Sequence, residues 1–186
     1  MLYPNPSRFK DFAMRLKGKV SIITGGASGI GKATVLKFAQ EGAIVAVCDL
    51  NQETIDATVN EVKAAGGEAV GYIVNVTNKS QINDMVADVK ARFGRIDVLV
   101  NNAGIVQDAQ LTKMTDEQFD LVIDINLRGV YNCAKAVVDT MVAQGGGVIL
   151  NASSVVGVYG NFGQTNYATT KFGVIGFVKT WAKELG

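Results

Sequence analysis

The sequence predicts an α/β fold, a doubly wound parallel sheet in a single domain. Three observations carry that expectation. Short runs rich in Val and Ile alternate with amphipathic stretches along nearly the whole length, the βαβα order that covers both faces of a parallel sheet with helices. Polar motifs fall where the apolar runs end, and ligands of such sheets bind beyond the carboxyl ends of the strands. No repeat, low-complexity segment or linker divides the chain.

The expected strands are 20–24, 44–49, 69–75, 98–101 and 148–152. Each is short and β-branched, as suits strands buried on both faces. Helices are expected near 30–41, 52–65, 79–93 and 115–143, with a last one from about Gln164 to the end. Asn78 and Thr115 have the chemistry of N-caps, and Gln118 three residues after Thr115 suggests a capping box. Residues 1–13 are polar and aromatic and read as an N-terminal extension, leaving 14–186 as the domain.

Composition removes several function classes. The formal net charge is +1, which favours neither nucleic acid nor a charged membrane as partner. No apolar stretch reaches the ~18 residues of a membrane span. Histidine is absent and the two cysteines, Cys48 and Cys133, stand far apart. No metal site is therefore expected, and acid–base chemistry must use Tyr, Lys, Asp or Glu. The cysteines read as core residues of a reducing compartment, hence a cytoplasmic protein.

The motifs follow the strands. Thr24-Gly-Gly-Ala-Ser-Gly-Ile-Gly31 joins the first strand to the first helix. Its Gly25-xxx-Gly29-x-Gly31 spacing allows a tight turn and lets a pyrophosphate approach backbone N–H groups at the helix N-terminus. Asp49 ends the second strand. There it is either an acceptor for the adenine-ribose hydroxyls or a carboxylate capping the next helix. Asn101-Asn102-Ala103-Gly104 closes the fourth strand, as a turn against a nucleotide or as an ordinary Asx turn. Asn126 interrupts the long helical segment, where its side chain either bends the helix and holds a water or faces a neighbour. Ser153 and Ser154 follow the fifth strand, where a hydroxyl can orient a carbonyl; without histidine or a Gly-x-Ser-x-Gly elbow, acyl transfer is unfavoured.

Tyr167 and Lys171 lie four residues apart, thirteen residues after Ser154. On a helix that spacing puts phenol and ammonium on one face. A tyrosine phenol titrates near ~10, so proton exchange at neutrality asks for roughly 3 units, about 4 kcal/mol, which a neighbouring cation helps supply.

Together these residues resemble the classical short-chain dehydrogenase/reductase family, from about Leu16 to the last residue. Thr24–Gly31 is similar to that family's TGxxxGxG turn, Asn101–Gly104 to its NNAG, and Asn126, Ser154, Tyr167 and Lys171 to its catalytic tetrad. The resemblance implies a dinucleotide-binding Rossmann domain and hydride transfer between nicotinamide and a secondary alcohol or ketone. Tyr167 would be the general acid/base and Lys171 its cation, which would also hold the nicotinamide ribose. Ser154 would fix the carbonyl, and Asn126 would hold a water reaching Lys171. Gly25, Ser28, Gly29, Ile30, Gly31, Asp49, Asn75, Val76, Asn102, Ala103 and Gly104 would line the cofactor. Ser154, Val156 and Gln164 would meet substrate, with Val155 and Phe162 shaping the pocket. Relatives pair the helices at 115–143 and 164–185, so a homotetramer or homodimer is implied.

Within the family, the segment from Ser154 to Gln164 is most similar to 3-oxoacyl-(acyl-carrier-protein) reductases, which often use NADPH and carry a basic residue in the glycine turn. Ser28 and Asp49 depart from that pattern. They lead to the expectation of NAD(H) in preference to NADP(H), acting on a secondary alcohol, a ketone or a small 3-oxoacyl thioester. Two other readings are an NADPH-dependent reductase of fatty-acid synthesis and a non-catalytic NAD-binding module. Family members usually continue for further strands, so the chain reads as lacking its last C-terminal ones.

Overall fold

The computed structural model describes residues 14–186, so the expected extension at 1–13 lies outside the described residues. Five parallel strands form one sheet: β1 (Val20–Thr24), β2 (Ile44–Asp49), β3 (Glu68–Ile73), β4 (Val98–Asn101) and β5 (Val148–Asn151), in the order β3-β2-β1-β4-β5. The register aligns Ser21 with Val45 on one side and Val98 on the other. Strand order reverses between β1 and β4, and the crevice beyond their carboxyl ends is where such sheets bind ligands.

Among the described residues seven α-helices flank the sheet: α1 (Gly29–Gln40), α2 (Gln52–Ala64), α3 (Lys79–Phe93), α4 (Asp116–Ile123), α5 (Gly129–Ala143), α6 (Val155–Tyr159) and α7 (Thr165–Leu185). Alternation along the strands builds two cores. Ile23, Val45, Val47 and Val100 pack with Val35, Ile55 and Val59 under α1 and α2. Ile22, Ala46, Cys48 and Leu99 pack with Val86, Val89, Cys133 and Val137 under α3 and α5. The outer strands depart from the expected two-sided burial, for Val148 and Leu150 of β5 remain about half exposed.

Local chemistry sets the helix ends. Asn78 accepts the Ser80 and Gln81 amides, and Thr115 and Gln118 complete the capping box. Two expectations are corrected. The segment at 115–143 is not one helix, because a π turn, Asp124–Arg128, separates α4 from α5. Between β5 and α7 stands α6, which periodicity over five residues does not reveal. Among the described residues no helix is long and apolar enough to cross a membrane.

Asp97, just before β4, ties the sheet's amino edge together. Its carboxylate accepts the Val20 amide at 2.9 Å, Lys19 Nζ at 3.2 Å, and Arg95 Nε and Nη2 at 2.7 and 2.6 Å. Burial alone would push this acid up, but the Arg95 guanidinium, the Val20 N–H and Lys19 outweigh it and hold the carboxyl down at about 2. A depressed acid contributes stability that is fully present above its unfolded value, near 3.8, and is lost as pH falls toward 2. That contribution is about 2 kcal/mol. Urea unfolding across this acid window is expected to be steeply pH-dependent in the native chain and flatter in Asp97→Asn.

Candidate active site

At the carboxyl end of β1 the chain turns on Gly25, whose φ of +62° is a left-handed conformation that other residues rarely adopt. The turn delivers Ser28 as N-cap of α1, yet its hydroxyl makes no capping hydrogen bond. Ser28, Gly29 and Ile30 are exposed there. An uncapped helix N-terminus at a switch point presents free N–H groups to an anion. Gly31 is buried, and a Cβ on it would run into the Gly25 carbonyl and come within 2.6 Å of Asn102 Nδ2. The turn is thus a cradle that side chains would fill, and it fits the pyrophosphate of a dinucleotide.

The turn after β4 is laced to this one. Asn102 Nδ2 donates to the Thr24 and Gly25 carbonyls at 3.1 Å. The Asn102 and Ala103 amides donate to Thr24 Oγ1, also at 3.1 Å. The side chain of Asn102 therefore braces the cradle. Thr24 escaped the sequence reading as a site residue, although a hydroxyl at the mouth of β1 was its signal.

Asp49 is bound up in the same turn. One oxygen accepts the Ala27 amide at 3.0 Å and the other its neighbour Leu50 at 2.8 Å. It does not cap α2, a task that Asn51 performs by accepting the Thr54 amide. Past β3, Asn75 Oδ1 accepts the amide and hydroxyl of Thr77, and Val76 is buried beside it. The Val76 methyls pack against Gly129 at the start of α5.

Asn126 sits within the π turn, wholly buried. Its Oδ1 accepts the Ile105 amide and its Nδ2 donates to the Ile105 carbonyl, both at 2.8 Å. The helix irregularity expected at this residue is present. The amide is bonded to the loop after Gly104, through both the N–H and the carbonyl of Ile105. The extra residue of a π turn re-aims side chains and often marks a functional segment; here it turns the Asn126 amide toward that loop.

At the end of β5 the two serines divide their work. Ser153 Oγ donates to the Lys171 carbonyl at 2.8 Å, joining β5 to α7. Ser154 caps α6, its Oγ accepting the Val156 amide at 3.2 Å, which leaves its own hydroxyl proton to donate. Val156 is half-buried in α6, and Gln164 immediately precedes α7. Gln164 Nε2 donates to both Asp108 oxygens, at 3.1 and 3.0 Å, while its Oε1 accepts from Asn161. Its amide is clamped between two loops. Asp108 carried no sequence signal.

Tyr167 and Lys171 share one face of α7, with Lys171 Nζ 5.5 Å from the phenol ring centroid. Lys171 is 5% exposed, and burial lowers its pKa. Its ammonium donates to the Ala152 carbonyl at 2.7 Å and lies 3.7 Å from where a Cβ of Gly104 would stand. The predicted residues thus follow the carboxyl ends of the strands, with Asp49 at β2 and Asn75 and Val76 past β3, while Asn126 reaches in from the π turn.

Comparison with known proteins places this geometry in a family. The family model for short chain dehydrogenases matches residues 19–186. A 3-oxoacyl-(acyl-carrier-protein) reductase of Thermotoga maritima is 56% identical over 172 residues, covering 92% of this chain and 70% of the relative. Proteins of the same name in Synechocystis sp. and Staphylococcus epidermidis are 47% and 44% identical over 91% and 90% of the chain, and 69% of each relative. The chain belongs to the short-chain dehydrogenase family and is an oxidoreductase.

These matches overturn the expected preference for NAD(H) over NADP(H). That expectation set the chain apart from the NADPH-using 3-oxoacyl reductases, and all three relatives carry their name. The physical reason lies in Asp49. Each of its oxygens accepts a backbone amide, so Asp49 has a structural task in the glycine turn, and an acid at this position is explained without a ribose.

Proposed function

We propose that this protein reduces the ketone of a 3-oxoacyl thioester, or oxidises the corresponding alcohol, using a nicotinamide dinucleotide. The observation that carries the reading is the buried Lys171 ammonium, held beside Tyr167 and the end of β5 with one carbonyl as partner. A desolvated cation with unused donors is costly unless something meets it. A ribose hydroxyl and a phenol oxygen are groups that suit it.

In this reading Gly25, Ser28, Gly29, Ile30 and Gly31 hold the pyrophosphate. Asp49, Asn75 and Val76 border the adenosine half, and Asn102, Ala103 and Gly104 support the turn beneath it. When bound, the dinucleotide supplies or accepts the hydride. Tyr167 gives its proton to the ketone oxygen in reduction and takes it back in oxidation. Ser154 donates its hydroxyl to that oxygen and shares the developing charge. Lys171 keeps a positive charge beside the phenol, and Asn126 holds the loop after Gly104 against the π turn. Val155, Val158 and Phe162, all exposed around α6, offer apolar surface to an acyl chain next to Val156.

Tyr131, Val142, Phe172 and Val178 are exposed apolar residues of α5 and α7, which supports a homodimer or homotetramer built on those helices. Cys48 and Cys133 are free and buried; burial raises both thiols, Cys133 to about 12, which suits a reducing cytoplasm. Residues 14–186 act in this reading as one dinucleotide-binding and catalytic domain.

The test is absorbance at 340 nm with acetoacetyl-CoA and a panel of simple ketones, each with NADPH and with NADH. NADPH oxidation by acetoacetyl-CoA is expected. Turnover of ketones but not of the thioester would remove the acyl reading. Dinucleotide binding without turnover on any substrate would leave a binding module.

A further inference from the structure

We propose that Asn166 is a positioning residue that sets the place of Tyr167, an inference that rests on the acid/base reading of that phenol. Asn166 has no exposed surface. Its Oδ1 accepts the backbone N–H of Tyr167 at 2.7 Å. Its Nδ2 donates to the Gln107 carbonyl at 3.0 Å and the Gln118 carbonyl at 3.1 Å. Three of the four hydrogen bonds available to the amide are made, and they join three elements: α7, α4 and the loop that follows the Asn102–Gly104 turn.

The first turn of a helix leaves its N–H groups without partners inside the helix. Gln164, the residue that should cap α7, makes no side-chain capping bond, because Asp108 and Asn161 occupy its amide. Asn166 fills the vacancy from within the helix and does so at Tyr167 itself. The Tyr167 carbonyl is held as well, accepting Thr170 Oγ1 at 2.8 Å. The backbone that carries the phenol is therefore pinned on both sides. Through the Gln107 carbonyl the same amide is tied to the loop whose start Asn126 fastens at Ile105. The distance between phenol, Lys171 and Ser154 depends on that chain of bonds. Proton transfer tolerates little misplacement, about 1 Å costing on the order of 10²-fold in rate.

Asn166→Ala is expected to lower kcat by ~10²-fold with the dinucleotide Kd unchanged. The double variant Asn166→Ala/Tyr167→Phe is expected to be no slower than Tyr167→Phe, since a residue acting through the phenol has nothing left to act on. Val137→Ala, a core truncation in α5 away from the site, controls for lost stability and is expected to leave kcat near wild type. Hydrogen exchange supplies a readout without turnover: in Asn166→Ala, amides of 161–170 should exchange faster while β1 and β2 keep their protection. If Asn166→Ala does not fold, the isosteric Asn166→Asp, which keeps the acceptor and removes the donors, takes its place in the same measurements. Full kcat in the variant, or losses that simply multiply in the double variant, would overturn the proposal. Unchanged exchange at 161–170 would overturn it whatever the activity. A wild-type protein without turnover would sink the functional reading alone, and exchange would still decide the tether.

Discussion

Tyr167→Phe is expected to lower kcat for acetoacetyl-CoA reduction by ~10²- to 10⁴-fold, the usual contribution of a positioned general acid, while dinucleotide affinity stays at the wild-type value. The substitution removes one oxygen and leaves the rest of the residue as it was. The ring remains next to Lys171, and the Tyr167 amide and carbonyl keep Asn166 and Thr170 as partners. Asn102 and Asp49, not the phenol, hydrogen-bond the glycine turn, so binding and chemistry should separate cleanly. Histidine, the commonest general acid, is absent from the chain and cannot take over the proton. Steady-state rates at 340 nm and a fluorescence titration of NADPH measure the two quantities. A variant with wild-type kcat would mean that the proton travels by another route, through Ser154 or solvent, and the assignment of Tyr167 would fall.

Much of this site was legible because the relevant signals are local. The βαβ alternation placed every strand within two residues of its observed ends, and β-branched runs bounded by turns leave little choice of period. Asn78 and the Thr115–Gln118 box were readable for the same reason: a cap and its helix lie within four residues. The four-residue spacing of Tyr167 and Lys171 needed only a helix beneath it.

What was hidden depends on contacts between distant parts of the chain. The Asn102 amide reaches Thr24 and Gly25 across almost eighty residues, and Asp49, at the end of β2, reaches Ala27 in the turn after the neighbouring β1. Seen only in sequence, Asp49 looked like a free carboxylate awaiting a ribose, and the cofactor preference built on it failed. A helix irregularity at Asn126 was one of the readings the sequence offered, but its partner was hidden: the amide reaches Ile105, twenty-one residues away. Asn166 carried no signal in the sequence; only burial and three partners in three elements reveal its work.

Gly31→Ala is expected to weaken dinucleotide binding by ~10- to ~100-fold and to destabilise the fold by about 1–3 kcal/mol, the range for overpacking a close-packed site. The added methyl would meet the Gly25 carbonyl and Asn102 Nδ2. Neither can yield cheaply. The carbonyl belongs to a turn fixed at φ +62°, and Asn102 Nδ2 is itself bonded to the Thr24 and Gly25 carbonyls. Making room means opening the lacing between the turns after β1 and β4, and that lacing shapes the cradle at the start of α1. Crowding can be separated from backbone strain by a second alanine. Gly66, between α2 and β3, has φ +81° and open space around its Cβ position. Gly66→Ala should lose about 1–2 kcal/mol from its left-handed backbone and leave NADPH affinity untouched. Denaturant unfolding with and without NADPH reads both effects at once. Gly31→Ala should lose most of the stabilisation that the ligand confers, whereas Gly66→Ala should keep all of it. Equal ligand stabilisation in the two variants would mean that the turn after β1 does not hold the dinucleotide.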